Sequence, residues 1–168
     1  MIPYIIMILS LIFDGVLSNF LPYLVGDLSW FTPCFTIVSI LIIYPFYHKE
    51  EKKYLITVFV LGLIYDLFYT NMLFYNAVLF TGLGFLIYYF QNNVKNTFVR
   101  IFVETILLIT VYEVATGILL WGFQLVPITF QRVFYKLSHS LVLNILYAEI
   151  LYGIIQLLPK KYKKTSMN

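Results

Sequence analysis

Residues 54–90 read YLITVFVLGLIYDLFYTNMLFYNAVLFTGLGFLIYYF. Two apolar runs, Tyr54–Tyr69 and Met72–Phe90, are joined by Thr70–Asn71 alone, and Asp66 is the one formal charge within them. A membrane-crossing helix needs about 20 mostly apolar residues, with a working range near 17–25. The stretch therefore predicts two helices that turn sharply on each other inside a bilayer. The first run is the shorter, at 16 residues. Sixteen residues rise about 24 Å against a hydrocarbon core of about 30 Å, so a half-inserted hairpin is an alternative at this point.

The rest of the chain agrees with a lipid setting. Hydrophobic residues make up 61% of the 168 and charged residues 11%, against roughly 45–50% and about 25% in soluble domains. A small globule leaves roughly a third of its extended-chain surface exposed, too much to hide this composition. A soluble monomer is excluded, as are disordered, collagenous and disulfide-stapled classes. Four further runs, Ile2–Phe20, Phe31–Tyr47, Phe98–Phe123 and Lys136–Leu158, complete an expected six-helix integral membrane protein. The expectation is one transmembrane domain over residues 1–168, with no linker, second domain or internal repeat. The first run lacks a basic leader and a small-residue cleavage site and carries Asp14, so it reads as a retained helix rather than a signal peptide. Pro22 and Pro33 bracket the first connection, Pro45 ends or kinks the second helix, and Pro159 closes the sixth.

Basic residues orient the chain. Lys49, Lys52, Lys53, Lys95, Arg100, Lys160, Lys161, Lys163 and Lys164 fall on one side, and Arg132 and Lys136 on the other. Positive residues are retained in the cytoplasm, which predicts both termini inside. The tail lysines also suit anionic lipid. The net charge of +3 is not a nucleic-acid footprint.

Charge at bilayer depth costs about 2.5 kcal/mol or more, so intramembrane acids are candidates for function. Asp14, Glu113 and Glu149 stand deep in their runs. Asp66 stands near the outer end of its helix, within reach of water, and Glu104 one turn from Arg100, as a surface ion pair. Gly62 and Asp66 share a helical face with Tyr65 and Tyr69 beside them, and the tight turn aims Asp66 at Asn76. Gly62, Ala77, Gly82 and Gly84 suit close helix approach. The last helix carries two polar stripes, Lys136/Ser140/Asn144 and Glu149/Gly153/Gln156. Two such faces imply contact both with its own bundle and with something else, or a helix enclosed on all sides.

Chemistry is sparse. Cys34 is alone, which excludes an internal disulfide or a CxxC pair, and His48 and His139 belong to no metal cluster. No hydrolase, nucleotide or zinc-protease motif occurs, and nothing implies a cofactor. Asp14 and Asp66 would be the pair of an intramembrane aspartic protease, but neither sits in the motifs of such enzymes. The expectation is a protein without catalysis.

The run Gly62-Leu-Ile-Tyr-Asp66-Leu-Phe…Asn76-Ala77-Val-Leu, in a six-span chain of this size, resembles the MreD family of rod-shape membrane proteins. The closing segment His139-Ser-Leu-Val-Leu-Asn144 is similar to that family's as well. The family pattern has Leu-Gly before the asparagine, where this chain has Phe74-Tyr75. The resemblance maps Asp66, Asn76 and Asn144 onto the family's polar positions. It implies an S-component-like bundle in the bacterial cytoplasmic membrane and a scaffold without known catalysis. It also implies partnership with MreC, a single-span protein, and through it with MreB and the RodA–transpeptidase wall synthase. The substrate-binding S-components of vitamin transporters are similar in size and layout. They carry an A-x-x-x-A docking face on the first helix, whereas Ala77, Ala115 and Ala148, the only alanines here, all lie elsewhere.

Overall fold

A computed structural model describes residues 2–25, 32–47, 50–70, 72–90, 97–123 and 130–157, leaving aside the side chains of residues 20–25, 97, 130–133, 135, 136 and 139. His48, Lys49, Asn71, Lys95, Pro159 and the tail lysines lie outside the described residues, as do the side chains of Pro22, Arg132, Lys136 and His139.

Among the described residues the regular structure is all helical, with six α-helices: α1 (Ile2–Val25), α2 (Phe35–Ile43), α3 (Glu51–Tyr65), α4 (Tyr75–Phe90), α5 (Thr97–Gly122) and α6 (Phe130–Leu157). Helices satisfy every interior backbone group within the segment, which lipid requires. Four apolar stretches are long enough to cross a membrane: Ile2–Asn19, Glu51–Thr70, Phe98–Gly122 and Ser140–Leu157. Phe35–Tyr47 and Tyr75–Phe90 are apolar but shorter.

The lengths correct the sequence reading. The third run, expected to be the shortest, starts earlier, at Glu51, and is prolonged by a π-helical turn, Asp66–Thr70. The second is the short one: Thr32–Cys34 are not helical, so it starts at Phe35 rather than Phe31. At its other end Pro45 has no N–H to continue the ladder, and the helix tightens into a 3-10 turn, Tyr44–Tyr47. The first helix runs through Pro22 to Val25, past its expected end at Phe20. The fourth begins at Tyr75 rather than Met72, and the sixth at Phe130 rather than Lys136.

The core forms around α2. Every residue from Phe35 to Ile43 is buried, and α1, α4, α5 and α6 all pack against it. A helix apolar on all sides is at home only when covered on all sides. The enclosed helix is thus the second, not the sixth, which presents Val142, Leu146, Ile150 and Ile154 outward. The closest partnership joins α3 to α4. There a Cβ built on Gly62 would lie 2.5 Å from Ala77 Cα and 2.7 Å from its nitrogen, so only glycine lets the two backbones meet. Gly84 rests on Leu55 and Tyr54, whereas Gly82 faces open space and takes no part in the approach.

Candidate functional site

Both short helices begin inside the bundle, where the first N–H groups of a helix have no water to bond. In both cases an aspartate on the preceding long helix supplies the acceptor. At α2, the Phe35 and Thr36 amides donate to Asp14 Oδ1 and Oδ2 at 2.6 and 2.8 Å, and the Thr36 hydroxyl adds a third bond to Oδ2. At α4, the Asn76 amide donates to both Asp66 oxygens at 2.9 and 3.0 Å, and the Ala77 amide to Oδ2 at 3.2 Å. Asn76 Nδ2 and the Thr70 hydroxyl complete the Asp66 shell at 2.9 and 2.8 Å. An N-cap residue ordinarily does this for its own helix. Here the cap comes from a neighbour, and a carboxyl also suits the positive end of the helix dipole.

Asp14 and Asp66 are 2% and 1% exposed, so Asp66 is enclosed rather than near water as its position suggested. The π turn explains this: its wider coil ends α3 with the carboxyl turned towards α4. The two carboxyls that a protease would bring together are each bound to a different helix start.

A third helix fastens the α2 start. Asn144 Oδ1 accepts the Cys34 amide at 2.7 Å, while Asn144 Nδ2 and the Ser140 hydroxyl donate to the Thr32 carbonyl at 3.0 and 2.8 Å. Ser10 on α1 bonds the Tyr147 hydroxyl at 2.8 Å, and the Tyr147 ring stacks on Phe35 at 3.9 Å. The two sites are tied together. Tyr69, at the end of the π turn, donates to the Leu11 carbonyl of α1 at 2.8 Å, and Tyr112 of α5 donates to Asn76 Oδ1 at 3.0 Å.

Of the candidate residues, the structure thus gathers Gly62, Asp66 and Asn76 at one helix start and Asp14 and Asn144 at the other. Glu113 is buried beside Tyr112 on α5. Glu104 is 7% exposed, and its pair with Arg100 stretches to 3.9 Å, so this is an enclosed contact rather than a surface ion pair. Glu149 stands apart: its carboxyl oxygens are covered yet accept no hydrogen bond among the described residues. Its neighbours Gly153 and Gln156 are exposed. Sequence reasoning missed Thr36, Tyr112, Ser10 and Tyr147. Tyr112 was signalled only by adjacency to Glu113, and Thr36 by standing in a first helical turn. Among the described residues, no group of three or more histidine, cysteine or acidic side chains is placed to hold a metal.

No curated protein and no solved structure matches the chain. A model of the family described as rod shape-determining protein MreD matches residues 1–162. The match takes in both aspartate-held helix starts and all six helices, and the chain belongs to the MreD family.

Proposed function

We propose that this chain is a membrane scaffold of the rod-shape system that binds MreC directly, and through it the MreB filaments and the RodA–transpeptidase wall synthase. Membership of a shape-determining family supports the system. The observation that carries the contact is the division of labour on α6. The stripe containing Ser140 and Asn144 is used internally, to hold the start of α2. On the other stripe Gly153 and Gln156 are exposed, with open space over Gly153, while the Glu149 oxygens beside them are covered and accept no hydrogen bond among the described residues. A single-span helix fits such a face, since helices associate in lipid through close packing at small residues and a few hydrogen bonds.

Co-purification in mild detergent tests this. Recovery of MreC is expected with the native chain. Overpacking a close helix contact costs about 1–3 kcal/mol, so Gly153→Leu, on the open part of the face, is expected to weaken binding roughly 5- to 150-fold. Depletion is expected to round rod-shaped or ovoid cells. Tight saturable binding of a vitamin without recovery of MreC would overturn the scaffold in favour of an S-component.

The same reading places the protein in the cytoplasmic membrane with both termini inside. Reporter fusions after Lys53 and Lys164 are expected to give cytoplasmic signals, and one after Thr129 an external signal. An external tail sinks this orientation.

A further inference from the structure

The hairpin of α3 and α4 ends well short of its neighbours. Tyr69 bonds Leu11 and lies against Gly15, so the end of α3 is level with the middle of α1. From Asp14, α1 continues to Val25, a further rise of about 16 Å. Tyr112 bonds Asn76 at the start of α4, and α5 continues to Gly122, a further rise of about 15 Å. Two independent anchors thus give one overshoot, about half of a 30 Å hydrocarbon core.

The tip left at that level is apolar. Residues 67–75, LFYTNMLFY, carry no charge. Leu67, Phe68, Leu73 and Phe74 are 65%, 72%, 63% and 56% exposed. Among the described residues, Thr70 bonds Asp66, and Asp66 takes up the first amides of α4. Lipid excludes irregular backbone unless its polar groups are satisfied. Here only four residues separate the π turn from α4, and Tyr75 and Val78 already donate to the carbonyls of Met72 and Phe74. Phe74 adopts φ +69°, a left-handed conformation that a bulky residue rarely takes and glycine takes freely. Its ring lies 6.5 Å from that of Phe59, down the flank of α3 and away from the end of the bundle.

We propose that the α3–α4 tip is a lipid-contacting element that stops inside one leaflet, where acyl chains cover it beside the taller wall of α1 and α5. The inference rests on the membrane reading alone and is independent of MreC.

The test uses the purified full chain in phospholipid vesicles, with no other protein present. Leu73→Cys and Phe68→Cys at the tip, and Phe123→Cys past the end of α5 as reference, are made in a Cys34→Ser chain. A charged maleimide is supplied on both faces of the vesicle. Both tip cysteines are expected to react at least about ten times more slowly than Phe123→Cys, and to reach its rate after denaturation. A nitroxide on either tip cysteine is expected to be more accessible to oxygen than to a water-soluble nickel chelate. Tip labelling as fast as the reference, or greater access to nickel, overturns the proposal. Protection in cell membranes that is lost in these vesicles also overturns it, by assigning the tip to a partner protein. Two tip positions keep the test decisive should one variant fail to fold.

Discussion

Replacing Asp14 by leucine is expected to cost the folded protein on the order of 3 kcal/mol or more. Asp14 receives the Phe35 and Thr36 amides and the Thr36 hydroxyl. Each buried donor left without an acceptor costs about 1–3 kcal/mol. Side-chain hydrogen bonds in membranes often contribute less, because the separated helices find other partners. Backbone amides at a helix start have no such freedom. They are fixed to the axis of α2, and α2 is enclosed on every side. Asp14→Asn keeps one acceptor oxygen and is expected to lose about half as much. Thermal unfolding in detergent, followed by the fraction of monodisperse protein, measures both. An Asp14→Leu protein as stable as the native chain would mean that α2 begins elsewhere. Asp66→Leu is expected to behave alike at α4, where it removes the acceptor of two backbone amides.

Adding one methyl group at Gly62 is expected to be as damaging. The new carbon would stand 2.5 Å from Ala77 Cα and 2.8 Å from the Asn76 carbonyl oxygen, and both are backbone. A flexible side chain would swing aside; a helix axis has to move as a whole. Overpacking ordinarily costs about 1–3 kcal/mol, and a backbone obstacle lies at the upper end. The displacement also draws Asn76 away from Asp66, so packing and hydrogen bonding fail together. Gly82, on the same hairpin, has nothing within 4 Å. Gly82→Ala is therefore expected to unfold at the native temperature or slightly above it, while Gly62→Ala falls by several degrees. Equal behaviour of the two would refute the close approach.

The apolar runs and Pro45 were legible because they follow from helix geometry and lipid solvation alone. So was the meeting of Asp66 with Asn76, since ten residues and a tight turn leave little choice of partner. Asp14 was noticed but its partner was not. The sequence reading sought side chains to pair with the acids, and the real partners are backbone amides, which every position carries and none advertises. The distance along the chain also hid it, because 21 residues of undetermined path separate Asp14 from Phe35. The two stripes of α6 were visible, but composition does not say which one faces inward. That choice was made by the Thr32 carbonyl and the Cys34 amide, again backbone groups. The length of α3 was underestimated because the apolar run starts at Tyr54, after Lys52 and Lys53, although long basic side chains can reach water from a helix end. Phe74-Tyr75 marked a departure from the family pattern, but nothing in the sequence announced that Phe74 would take a left-handed backbone.

The fastening of α2 has a consequence for how the protein is made. Asp66 meets Asn76 across ten residues, so the middle hairpin can close as soon as its two helices are in the membrane. Asp14 meets Phe35 and Thr36 soon after the second helix emerges. The Cys34 amide, however, waits for Asn144, 110 residues later. Contacts so remote form last, since the intervening chain must first be ordered. During synthesis the first five helices therefore hold an open seam at the heart of the bundle, and the sixth closes it. A chain that stops before α6 lacks the partners of the Cys34 amide and the Thr32 carbonyl, so only a chain translated through Asn144 acquires a finished interior.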